Sequence, residues 1–153
     1  MLKKVDIYTD GACSGNPGAG GWAAILNYKG VEREIFGGEA QTTNNRMELR
    51  AVIEGLSALK ERCAVSVFSD SAYVVSAFAN DWITAWQRNG WRTTGKDEVK
   101  NRDLWELLLT LTQKHVVSFI KVKGHSDNER NNRCDALARA EISKLTTDIQ
   151  SSI

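Results

Sequence analysis

Four carboxylates, Asp10, Glu48, Asp70 and Asp135, stand where an acidic side chain does little for folding. Asp10 ends the alternating run Val5, Ile7, Thr9 and opens a glycine-rich stretch. Asp70 ends a second run, Val65, Val67, Ser69, and opens a helical stretch. Glu48 falls in the first turns of an amphipathic helix, and Asp135 opens another, in Cys-Asp-Ala-Leu-Ala-Arg. Strand ends and helix starts of an open α/β sheet border a crevice where ligands bind. Acids converging there repel one another unless cations neutralise them. An all-oxygen donor set suits Mg²⁺ or Mn²⁺. The chemistry such a set supports is two-metal phosphoryl transfer.

The elements that must carry these acids are legible in outline. Residues 2–10 alternate as a strand. Gly11 to Gly21 is dense in turn formers and reads as the loop of a hairpin whose second strand is Trp22 to Leu26. It lacks the Lys-Ser/Thr ending of a phosphate-cradling loop and no helix follows it. Val31 to Phe36 reads as a third strand. Thr42-Thr-Asn-Asn offers helix caps, and Leu49, Val52, Ile53, Leu56 and Leu59 follow at helical spacing. A strand at 64–69, a helical stretch from Ser71 to about Asn89 in two pieces, a helix at 101–114, a strand at 116–122 and a helix from Asp135 to about Leu145 complete the order. Sequential hairpin strands pair antiparallel, and strands separated by helices pair parallel. The expected fold class is α/β, a mixed five-stranded sheet of three antiparallel strands and then two parallel ones, flanked by helices.

Composition sets the frame. The 153 residues are 42% hydrophobic and 25% charged, enough for one domain around one core. No apolar run approaches the ~20 residues of a membrane helix, and no secretory signal opens the chain, so the expected location is the cytoplasm, with no membrane partner. Three cysteines that cannot all pair fit a reducing compartment. Two histidines without clustered cysteines make a structural zinc site a poor fit. A net charge of +1 confines any nucleic-acid-binding surface to a local patch.

Five segments in order carry a resemblance: Thr9-Asp-Gly-Ala-Cys-Ser-Gly-Asn-Pro-Gly, Thr42-Thr-Asn-Asn-Arg-Met-Glu-Leu, Ser69-Asp-Ser, Val122-Lys-Gly-His and Asn132-Arg-Cys-Asp-Ala-Leu-Ala. Together they resemble type 1 ribonuclease H of the bacterial kind, from residue 2 to about 142. The resemblance implies a ribonuclease H-like sheet and an endoribonuclease that cuts the RNA strand of RNA–DNA hybrids. It implies 5′-phosphate and 3′-hydroxyl ends, and no strong sequence specificity. Its Asp-Glu-Asp-Asp set falls on Asp10, Glu48, Asp70 and Asp135, with two Mg²⁺ ions bound with substrate and Mn²⁺ as a substitute. Asp10, central in the sheet, reads as the bridging ligand. Glu48 and Asp70 would hold the ion nearer the leaving group, and Asp135 the ion on the water side. His125 lies in the loop Lys-Gly-His-Ser-Asp; its ordinary pKa near ~6.5 suits proton transfer, and the resemblance makes it an aid to hydrolysis. His115 reads as a helix C-terminal histidine only.

Substrate contacts follow from the same resemblance. Hybrids present 2′-hydroxyls in a wide minor groove, which Cys13, Ser14, Asn16, Asn44 and Asn45 would face, with Thr43 on a DNA phosphate. Residues 82–105 hold four of the five tryptophans, interleaved with Arg88, Arg92, Lys96, Lys100 and Arg102. This pattern suits backbone tracking with stacking. By resemblance it is a basic handle, about 82–102, gripping the DNA strand through Trp82, Arg88, Arg92, Lys96 and Asn101, though Asp97, Glu98 and Asp103 dilute its charge. Trp22 and Trp105 are expected in the core. The domain is expected to span 1–145, to act as a monomer, and to leave 146–153 as a disordered tail. The rival reading is a non-catalytic hybrid-binding module on the same fold.

Overall fold

The computed structural model of the chain describes residues 1–123 and 128–151, with side chains described to residue 147. Five strands, β1 (Lys3–Gly15), β2 (Gly18–Tyr28), β3 (Val31–Thr42), β4 (Cys63–Ser69) and β5 (Val116–Lys121), form one sheet in the order β3-β2-β1-β4-β5. β1 pairs antiparallel with β2, and β2 with β3; β4 runs parallel to β1, and β5 to β4. The mixed three-plus-two sheet is the one the sequence predicts.

Alternation along the strands divides the core. Val5, Ile7, Ala24, Val65 and Val67 face one side and pack under helices α1 (Asn44–Ser57), α2 (Ala72–Ala79), α3 (Trp82–Arg88) and α4 (Arg102–Lys114). Their neighbours Tyr8, Ala23 and Ile25 face the other side and pack under Cys134 and Ala138 of α5 (Glu129–Ser151). Trp105 is fully buried in the first layer, as expected. Trp22 is only half-buried, its ring lying against Gly37.

Three further expectations need correction. The glycine-rich stretch is mostly strand: the turn narrows to Asn16 and Pro17, and Gly20 and Gly21 are paired with Cys13 and Ala12. A Cβ on Gly21 would collide with the Ala138 carbonyl, so glycine is what lets α5 lie directly on β2. The last helix starts at Glu129 rather than Asp135; the Asn128 side chain accepts from the Asn131 amide at 3.2 Å at its start. The same helix runs on to Ser151, through the segment expected as a disordered tail. No glycine or proline interrupts it there, and the Thr146 hydroxyl donates back to the Ile142 carbonyl at 3.0 Å. Among the described residues no helix is long and apolar enough to cross a membrane.

Candidate active site

The first carboxylate, Asp10, sits in central strand β1, paired with Ala23 of β2 and two residues beyond the end of the β1–β4 ladder. Next to it, Gly11 touches the backbone of α1; a Cβ there would stand 2.5 Å from the Glu48 nitrogen. The missing side chain allows α1 to settle until Glu48 meets Asp10. Thr43 caps α1, its hydroxyl accepting from the Arg46 amide at 3.3 Å, and Asn16 Oδ1 accepts from the Asn44 amide at 3.2 Å. The β1–β2 turn and the helix start are thereby locked together. Asp70 follows β4 directly, just before Ser71 caps α2 by accepting from the Val74 amide at 3.2 Å.

One ligand oxygen from each of Asp10, Glu48 and Asp70 lies within 4.8 Å of the others. Asp10 is 7% exposed and Glu48 4%. Burial, followed by the charges of Asp70 and Asp135, pushes the Asp10 carboxyl up to about 8. Burial and then the charges of Asp10 and Asp70 raise Glu48 well above the usual carboxylate range. Glu48 Oε2 is buried without a hydrogen-bond partner among the described residues. Crowded acids with an orphaned buried oxygen and an all-oxygen donor set are what a hard divalent cation would relieve, so the residues fit such an ion. Asp135 comes to the same place from the second turn of α5. Its charge adds to the crowding at Asp10, and both its oxygens accept from Arg139 Nε at 3.0 Å.

These acids line a crevice of about 670 Å³. Of the expected groove contacts, Cys13, Ser14, Asn44 and Asn45 line it too. The Cys13 thiol is turned toward the Gly18 and Thr42 carbonyls, at 3.6 and 3.5 Å, and burial raises its pKa. Asn16 and Thr43 stand beside the crevice, committed to the α1 start. His125 lies outside the described residues.

The segment 82–101 forms a structured arm that contributes no residue to the lining of this crevice. Trp82 is 37% exposed, and Trp86 rests on buried Trp105 with ring centroids 5.4 Å apart. An isolated bridge joins Arg92 and Glu98, and Arg92 donates to the Lys96 carbonyl at 3.2 Å. Arg88, Arg92 and Lys96 are all exposed. Asn101 is held inward: its Oδ1 accepts from Arg46 at 3.3 Å and its Nδ2 donates to the Tyr73 hydroxyl at 3.2 Å. Arg46 also forks onto Asp103 at 3.0 and 2.8 Å, tying α1 to the start of α4.

Sequence reasoning missed several crevice residues: Tyr73, Lys123, Asn131 and Arg139. A signal existed for two of them. Asn131, Asp135 and Arg139 recur every four residues, so once the helix is known to begin at Glu129 they share one face.

Comparison with known proteins agrees with this geometry. The profile of the RNase H family matches residues 2–143. The chain is 60% identical over 144 residues to a ribonuclease H of Chlorobium luteolum, covering 94% of this chain and 99% of that one. It is 59% identical over 142 residues to a ribonuclease H of Thermoanaerobacter sp. (strain X514), covering 93% and 92%. Among solved structures it superposes on LC9-RNase H1, a type 1 RNase H with the type 2 active-site motif, with TM-score 0.84 and 29% identity over 95% of this chain and 74% of that one. LC11-RNase H1 in complex with RNA/DNA hybrid shares the fold, with TM-score 0.65 and 24% identity over 92% and 97% of the two chains.

Proposed function

This chain belongs to the ribonuclease H family of divalent-metal-dependent hydrolases, and from that premise we propose that it cuts the RNA strand of RNA–DNA hybrids. Cleavage leaves 5′-phosphate and 3′-hydroxyl ends without strong sequence preference. The observation that carries the reading is the trio Asp10, Glu48 and Asp70, its ligand oxygens within 4.8 Å of one another and Glu48 Oε2 unpartnered among the described residues. Two Mg²⁺ ions, for which Mn²⁺ can substitute, would neutralise the scissile phosphate, acidify the attacking water and stabilise the departing 3′-oxyanion. Asp10 would be shared by both positions, Glu48 and Asp70 would serve the leaving-group side, and Asp135 the water side.

The remaining work falls to the protein's own groups. His125 takes up or delivers a proton as hydrolysis proceeds or product leaves. Cys13, Ser14, Asn16, Asn44 and Asn45 read 2′-hydroxyls in the minor groove, and Thr43 receives a DNA phosphate. Trp82, Arg88, Arg92 and Lys96 track the DNA strand along the exposed arm. Asn101 supports that arm from below, through Arg46 and Tyr73. Three unpaired cysteines fit a reducing compartment, and the reading is of a cytoplasmic monomer.

The test is Asp70→Asn. A neutral amide is a weak ligand for Mg²⁺, so the variant binds hybrid and loses nearly all cleavage. Substantial Mg²⁺-dependent turnover by purified Asp70→Asn would remove this residue from the chemistry.

A further inference from the structure

Asn131 is 8% exposed and lies in the first turn of α5, four residues before Asp135. Its Nδ2 donates to two main-chain carbonyls, Thr9 at 3.3 Å and Phe68 at 3.1 Å. Thr9 immediately precedes Asp10, and Phe68 stands two residues before Asp70. The parallel ladder between β1 and β4 ends at the pair Tyr8 and Phe68. The Asn131 amide therefore joins the two strands where their backbone ladder ends, beside the Thr9 hydroxyl, which donates to the same Phe68 carbonyl at 3.3 Å. Both partners are acceptors, so only the NH₂ end of the amide can face them, which fixes its orientation. Its Oδ1 is buried and without a partner among the described residues, at the wall of the crevice. A buried amide with half its bonding capacity unspent is a poor choice for stability alone.

We propose that Asn131 is a positioning residue that sets the spacing of the acid cluster. By tying the ends of β1 and β4 to α5, it fixes Asp10, Asp70 and Asp135 relative to one another, and with them the affinity of the site for its divalent cation. Partners that orient metal ligands from one shell out commonly change affinity or activity by about 10–100-fold when removed. The inference rests on the functional reading above. A nearby contact provides the contrast. Cys134 Sγ donates to the Tyr8 carbonyl at 3.3 Å, anchoring α5 on β1 without reaching β4.

The experiment compares wild type with Asn131→Leu, which keeps the branching at Cγ and loses both donors, Asn131→Ser, which keeps one short donor, and Cys134→Ala. Mn²⁺ binding is measured by calorimetry without substrate, stability by urea unfolding in EDTA, and kcat and KM on an RNA–DNA hybrid. Asn131→Leu is expected to bind Mn²⁺ about 10–100-fold more weakly, with a matching loss of kcat and KM for hybrid little changed. Asn131→Ser should fall between, and it carries the comparison alone if the leucine variant does not fold. Cys134→Ala should lose stability and keep its Mn²⁺ affinity. Asn131 variants that lose stability like Cys134→Ala, yet keep wild-type Mn²⁺ affinity and kcat, would overturn the proposal. A wild type that binds Mn²⁺ but leaves hybrid intact would overturn the functional reading instead, and the affinity comparison would still judge Asn131.

Discussion

Gly11 and Glu48 are in near-contact, so close that a Cβ on Gly11 would stand 2.5 Å from the Glu48 amide nitrogen. The approach brings a helix-borne carboxylate against the strand-borne Asp10, and among the described residues neither acid forms an ion pair. The chain thus holds like charges together in a buried place, which is costly for folding and useful for binding cations.

Gly11→Ala should therefore damage the site without changing any ligand. The added methyl pushes α1 and Glu48 away from Asp10, an overpacking cost of about 1–3 kcal/mol. Mg²⁺ activation should shift to higher concentration, and turnover should fall about 10-fold or more, since misplacement by an ångström commonly costs that much. Urea unfolding and a Mg²⁺ titration of activity check both parts; wild-type values in each would mean the contact is slack.

Asp10→Asn should stabilise the cation-free protein. Burial, with Asp70 and Asp135 nearby, raises the folded pKa of Asp10 from 3.8 to about 8. Between those values the folded chain retains a proton that the unfolded chain has released, so stability falls as pH rises through the window. The penalty is complete above the folded value and absent below the unfolded one. At pH 7 the variant should gain about 1–3 kcal/mol in EDTA, the open crevice softening the full repulsion. The gain should vanish toward pH 4 and shrink with Mg²⁺, which favours the wild-type cluster. Urea melts at both pH values, with EDTA and with Mg²⁺, decide it. A variant no more stable than wild type at pH 7 in EDTA would mean the acids are not crowded.

Arg88, Arg92 and Lys96 are exposed on the arm. Changing all three to glutamine should weaken hybrid binding and flatten its salt dependence by up to about three phosphate contacts' worth of slope. Turnover at saturating hybrid should survive, because none of the three lines the crevice that holds the acids. An unchanged salt slope would place the DNA grip elsewhere.

Strand alternation and helical spacing made the sheet order and the acids at its strand ends readable in the sequence. What escaped depended on neighbours distant in the chain. Counting turn formers put Gly20 and Gly21 in a loop, because their strand pairing answers to Thr42, Met47 and Ala138 pressing on them. The polar start of α5, Glu-Arg-Asn-Asn-Arg, reads as loop, because Arg130 and Arg133 are satisfied by Glu32 and Glu34 of β3, about a hundred residues earlier. His115 reads as a helix C-terminal histidine and is the C-cap of α4; its burial is what did not show. It is buried, with Nδ1 accepting from the Cys63 amide at 3.1 Å, and burial lowers its pKa. The four-residue spacing of Asn131, Asp135 and Arg139 showed a shared helix face but not the carbonyls that Asn131 holds, which lie 122 and 63 residues away.

Incubating the purified protein with matched RNA–DNA, RNA–RNA and DNA–DNA duplexes, in Mg²⁺ and in EDTA, tests the central claim most directly. The account predicts cleavage of the RNA strand of the hybrid alone, dependent on Mg²⁺, leaving 5′-phosphate ends. Cleavage of the hybrid in EDTA, or equal cleavage of all three duplexes, would contradict it.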